Sequence, residues 1–151
     1  MKSKIFLLSF SLFLVAGIGF AQKKDKGPKS IISDKVTISK YHNKEELERL
    51  QKGELTALYQ ERNQVLTSTL PYIAFATKPG VTMESLGIPE TKDNKKALEE
   101  NIEASTKYFE STIEFQKKIL PYSDTTDLIA AILFYESTLK ALHTYDDFKK
   151  N

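Results

Sequence analysis

The sequence predicts an all-α protein, an antiparallel three-helix bundle that follows an N-terminal signal peptide and a flexible linker. Three observations carry this prediction. Apolar residues recur at three- and four-residue spacings through three long stretches, the period of an amphipathic helix. Capping residues precede those stretches, and Pro or Gly follows them. The one run with a two-residue period, at 35–41, has no second run to pair with.

The first element is residues 1–21. Lys2 and Lys4 precede an apolar run from Ile5 to Phe20, and Gly19-Phe20-Ala21 is a small-x-small cleavage site. This is the pattern of a secretory signal peptide, cut between Ala21 and Gln22. Retention as an anchor is the other reading, although Ile5–Phe20 is shorter than the ~20 residues that span a bilayer. Removing residues 1–21 takes away two lysines and no acid, so 20 basic residues face 20 acidic ones. A mature chain of zero net charge with only Arg49 and Arg62 for base reading does not look like a nucleic-acid binder.

Residues 22–42 form the next element, a basic flexible linker and extended arm. Five lysines fall within 22–35, and Gly27-Pro28 breaks regular structure. Val36, Ile38 and Tyr41 then suggest an extended arm laid on the helices.

The helical bundle domain occupies residues 43–151. Asn43 and Glu46 have capping-box spacing and open a helix expected to run to about residue 76. Its stripe is Leu47, Leu50, Leu55, Leu58, Val65, Leu66 and Leu70, with Arg62 interrupting and Gly53 weakening it. Pro71 kinks or ends this helix, which makes four helices if the break is sharp, and Lys78-Pro79-Gly80 stops it. Residues 81–92 are the longest connection. Thr82 is placed to cap a short turn there, and Gly87-Ile88-Pro89 reads as its C-terminal stop. Asp93 or Asn94 opens a second helix, 93–120, on Leu98, Ile102, Phe109, Ile113 and Leu120, widened by Tyr108, Phe115 and Ile119. Pro121 ends it. Ser123 or Asp124 caps a third helix, 124–149, which is apolar nearly all round from Leu128 to Tyr135. The tripeptide Leu-Pro-Tyr occurs at 70–72 and again at 120–122, but the flanking stripes do not align. The repeat therefore reads as helix punctuation and not as a duplication.

The chemical inventory is thin. There are no cysteines, which removes thiol catalysis, Cys-ligated zinc and iron–sulfur clusters. The glycines of the bundle are isolated, so no phosphate-cradling loop exists, and no G-x-S-x-G is present. The two histidines are His42 and His143. Glu136, His143, Asp146 and Asp147 gather on neighbouring faces of the third helix, a weak metal candidate without the Glu-x-x-His pairs of a di-metal bundle. No cofactor and no enzymatic activity are expected.

The composition instead suits binding of another protein. Seven tyrosines supply side chains with a large apolar body and a polar tip. Tyr72, Phe75, Met83, Leu86 and Ile88 place apolar residues in and before the long connection, where they either cover the end of the bundle or dock a partner. The reading is an exported, non-enzymatic helical protein-binding module of the cell envelope or extracellular space: an accessory subunit, an assembly or chaperone factor, or an inhibitor or immunity-type protein. No membrane span is expected after signal cleavage. The apolar stretch 128–135 leaves room for a homodimer. The alternative is a small-ligand or metal-binding periplasmic bundle, a carrier or sensor.

Overall fold

A computed structural model describes residues 28–145. The segment expected to be a signal peptide, Asp146 and Asp147 lie outside these residues. The order of elements is α1 (Lys44–Leu47), α2 (Lys52–Thr69), a 3-10 turn (Leu70–Tyr72), a second 3-10 turn (Glu84–Leu86), α3 (Lys92–Ile119), a third 3-10 turn (Leu120–Tyr122) and α4 (Thr125–His143). The fold is the all-α bundle that the periodicity predicts. Among the described residues there is no strand, only an isolated antiparallel bridge between Ser30 and Thr82. None of the helices described is long and apolar enough to cross a membrane.

Helices α2 and α4 form the central pair. Leu55 shares a core cluster with Leu128 and Ile132, and Val65 and Leu66 share another with Leu139, so the two helices run parallel. Helix α3 runs antiparallel to them along α2, and the Lys52 ammonium donates to the Pro121 carbonyl at 2.6 Å where α3 ends. Packing of α2 on α4 is far more extensive than packing of α3 on either.

The first helix does not run unbroken from residue 44. Asn43 caps α1, with its side chain accepting from the Glu46 N–H at 2.8 Å and Glu46 accepting from the Asn43 N–H at 3.0 Å. The chain then breaks at 48–51 and restarts with Glu54 accepting from the Gln51 N–H at 2.8 Å. This second box-like spacing, next to the poor helix former Gly53, explains the break. Both Leu47 and Leu55 then reach the same core.

Both Leu-Pro-Tyr tripeptides form one 3-10 turn at the end of a helix. Proline lacks the donor that an α-helical turn needs and fixes a φ that a 3-10 turn accepts. Their surroundings are opposite: Leu120 is buried and Tyr122 fully out, while Leu70 is exposed and Tyr72 is half-buried. Thr91, two residues ahead of Asp93 and three ahead of Asn94, opens α3 by accepting from the Asn94 N–H at 3.2 Å.

The stretch read as a tether packs from residue 30 onward. Ile31 and Ile32 are buried with Ala76 and Met83, and the Ile31 N–H donates to the Val81 carbonyl at 2.8 Å. Further along, Val36, Ile38 and Tyr41 lie against Val65, Leu66 and Leu139.

Candidate functional site

Arg62 and Glu136 are the polar centre of the molecule. Each sits in phase with the core stripe of its helix: Arg62 seven residues after Leu55, Glu136 four after Ile132 and three before Leu139. Helical spacing therefore drives both charges inward. Arg62 is 0% exposed and Glu136 1%. Two charges in such a place must pair, because an uncompensated buried charge costs several kcal/mol. The guanidinium Nε and Nη2 donate to Glu136 Oε1 at 3.1 and 2.9 Å. Its Nη2 also donates to the Lys40 carbonyl at 2.5 Å and reaches His42 Nδ1 at 3.2 Å, and its Nη1 donates to Glu61. The other Glu136 oxygen accepts the His42 backbone N–H at 2.7 Å. His42 Nδ1 thus stands between a guanidinium that only donates, at 3.2 Å, and the Glu136 carboxylate that only accepts, at 3.4 Å.

The cluster works as a clasp. It ties the arm at Lys40 and His42 to both central helices, and its two charges face no open space. Beside it, burial pushes the Tyr41 phenol above its usual range; the Glu136 charge adds to this and Arg62 opposes it. Lys140 lies over the Tyr41 ring, 4.9 Å from its centre. Tyr59 and Tyr135 pack ring against ring at 5.4 Å, and the Tyr135 hydroxyl donates to that of Tyr59 at 3.3 Å.

The connection 81–88 folds onto the arm. Thr82 Oγ1 accepts from the Ser85 N–H at 3.2 Å, and Ser85 Oγ accepts from the Thr82 N–H at 3.0 Å. Gly87, with φ +69°, ends the turn in the left-handed region that glycine tolerates. Of the five residues singled out for docking, Met83 is buried, and Tyr72, Leu86 and Ile88 are half-buried around it. The Tyr72 hydroxyl donates to Asn101 on α3. Phe75 alone is exposed, with its ring 5.9 Å from that of Tyr72. A charge at Met83 therefore reports first on folding of this end and only second on binding.

Of the weak metal candidates, His143 ends α4, and Glu136, expected beside it, bonds to Arg62 and His42 instead. Among the described residues, no group of three or more His, Asp or Glu side chains is placed to hold a metal ion.

The third feature is the outer face of α3. Leu98, Ile102, Phe109 and Ile113 are half-buried, and Gln116 and Leu120 are buried. Beside this row, Tyr108 and Phe115 are each 63% exposed, Tyr122 is 87% exposed and Ile119 is open too. Phe134 of α4 is also exposed. Grooves of about 540 and 740 Å³ run between α2 and α3, both bordered by Ser68 and Ser105, and Tyr108 lines the smaller one. The carbonyl oxygen of Gln116 is buried with no hydrogen-bond partner in the protein.

No protein-family model, curated protein or solved structure matches the chain.

Proposed function

We propose that this chain is an exported, non-enzymatic protein-binding module of the cell envelope, acting as an accessory, assembly or inhibitory subunit. The observation that supports this most is the uncovered apolar row on α3. Large side chains scattered singly on a surface are ordinary. Here Tyr108, Phe115 and Ile119 lie on one side of α3, beside its core stripe, and Tyr122 follows in the 3-10 turn that ends it. Contiguous exposed apolar surface of this kind marks interaction sites, and Tyr and Phe are the residues that interfaces favour.

The test is site-specific photocrosslinking in the native cell, with the reactive side chain placed at Phe115 or at Ile119. Glu103, on the polar side of α3, is the control position. Protein adducts at 115 and 119, and none at 103, are expected. Equal or absent labelling at all three positions removes the docking role of this face.

A second reading has one observation behind it. The 740 Å³ groove, lined by Ile32, Tyr72, Ile102 and Phe109 with Gln64 and Ser68, has the size of a small-ligand site. A thermal-shift screen with apolar small molecules, repeated on Ser105→Phe to fill the groove, tests it. A ligand whose shift survives the filling does not bind there.

A further inference from the structure

We infer that the cavity between the arm and the central helices binds a medium-chain alkyl carboxylate, with its chain among the core residues and its head at Lys78. The inference is independent of the docking reading, because no described residue of α3 lines this cavity.

The walls come from three segments that each present an apolar face. The cavity measures about 290 Å³. The arm supplies Val36 and Ile38, α2 supplies Val65 and Thr69, and α4 supplies Leu139 and Leu142. Each pair has the spacing of its own structure, two residues in the extended arm, four on α2 and three on α4, so both members share one face. Thr69 keeps the space open. It is buried one turn after Val65, and its hydroxyl turns back to donate to the Val65 carbonyl at 2.7 Å. A larger side chain in its place would reach into the cavity, whereas the threonine has its donor already satisfied.

Charge selects the head group. Among the described residues that line the cavity, Lys78 alone is charged. It is exposed and forms no ion pair or hydrogen bond with another described residue. The Thr77 hydroxyl beside it is unbonded too. Lys140 adds a second positive charge over the Tyr41 ring, which forms another part of the wall. The Glu136 carboxylate, which also acts on Tyr41, is held by Arg62. An apolar recess with an unpaired ammonium at its rim and no carboxylate on its walls suits one anionic head on an apolar chain.

Size sets the length of that chain. A dry cavity of ~150 Å³ takes one benzene molecule, so at the same density about 290 Å³ takes roughly eleven non-hydrogen atoms. Octanoate and decanoate, with about ten and twelve such atoms, bracket this figure.

The experiment is an NMR titration of the protein purified from its native cells. The probes are hexanoate, octanoate, decanoate and tetradecanoate, with octanol and octylamine as head-group controls. Saturable binding of one octanoate or decanoate per chain is expected. Each added methylene up to decanoate should tighten binding about fourfold, and tetradecanoate should gain nothing more. Octanol should bind about fivefold more weakly than octanoate, and octylamine more weakly still. Lys78→Glu, at an exposed position that holds no contact of the fold, should reverse the order of octanoate and octylamine. Thr69→Phe fills the cavity and should abolish binding, with its thermal unfolding in the absence of probe as the check on folding. Ser105→Phe, which fills the separate grooves between α2 and α3, should leave binding unchanged. Affinity that keeps rising through tetradecanoate, that survives Thr69→Phe in a folded protein or that is lost in Ser105→Phe overturns the site. Should Thr69→Phe not fold, the Lys78→Glu reversal decides, and an unchanged order overturns the site. Equal binding of octanoate and octanol overturns the carboxylate head. No saturable binding of any probe at about 1 mM overturns the inference and leaves the docking reading standing.

Discussion

Between α2 and α4, the large residues in phase with the facing stripes are covered, Arg62 and Glu136 included. On α3, Tyr108, Phe115 and Ile119 lie one step around the helix from its core row and remain in solvent. The residue types do not explain the difference, because α3 is the more regularly amphipathic helix. Its cause is what stands opposite. The central pair has helix on one side and the arm on the other, closed by a clasp of charged hydrogen bonds. Helix α3 packs only sparsely, against α2. One half of the molecule is sealed by its own chain, and the other presents a face still to be covered.

The largest expected effect tests the sealed half. Glu136→Ala leaves the Arg62 guanidinium buried without its carboxylate and releases the His42 N–H. It should cost about 3–5 kcal/mol in denaturant unfolding. Adding Arg62→Met to Glu136→Leu removes both charges together and should recover most of that loss. The recovery should not extend to the arm, since Lys40 and His42 still lose their tethers. Faster proteolysis near residue 40 in an otherwise folded double variant is the expected signature. A Glu136→Ala protein as stable as wild type would mean that the clasp contributes nothing.

How much of this was legible in the sequence follows from the same two regions. The three helices, the Asn43 cap, the Gly87 stop and the role of the two prolines came from local rules, and local rules govern those features. The clasp was equally readable and passed over. Along the sequence Arg62 interrupts its stripe and Glu136 belongs to a polar helix end. Opposite charges in phase with two core stripes are the signal of a buried pair, but which helices face each other is tertiary information. The break at 48–51 was missed because Gln51 and Glu54 compete with an apolar period that runs through them. The outer α3 row was read as a widening of the core. Periodicity gives the width of an apolar sector, but it does not say how much of that sector the same chain will cover.

Core truncation sharpens the contrast. Ile132→Ala removes a side chain with 0% exposure and should cost about 3 kcal/mol, within the usual range for buried isoleucine. Ile113→Ala, on the half-covered inner row of α3, should cost about 1 kcal/mol, because much of that surface already meets water. Equal losses in thermal unfolding would show that α3 is seated as firmly as the central pair.

Alkaline titration probes the same boundary more gently. Burial, and then the bond to the Tyr59 hydroxyl, push the Tyr135 phenol from 10.0 up to about 12. The folded state thus holds this proton where the unfolded chain releases it. The contribution is complete below pH 10 and is lost as pH rises towards 12. Tyr135→Phe should flatten that part of the stability profile. Some slope will persist, because the Tyr41 phenol is raised too. An unchanged slope would place the Tyr135 hydroxyl in water.

The smallest expected effect is the most discriminating. Phe115→Glu, measured on the isolated protein, should change stability by no more than about 0.5 kcal/mol. A phenyl ring 63% exposed in the folded chain loses little when it is exchanged for a carboxylate facing solvent. Glu114 and Lys117 already form an ion pair one residue to the side, so the position tolerates charge. A cost near 2 kcal/mol would mean that the chain covers this ring itself, and the distinction between a sealed half and an open one would fall. A null effect on stability, set against a loss of photoadducts at position 119, separates what this helix does for its own fold from what it does for another protein.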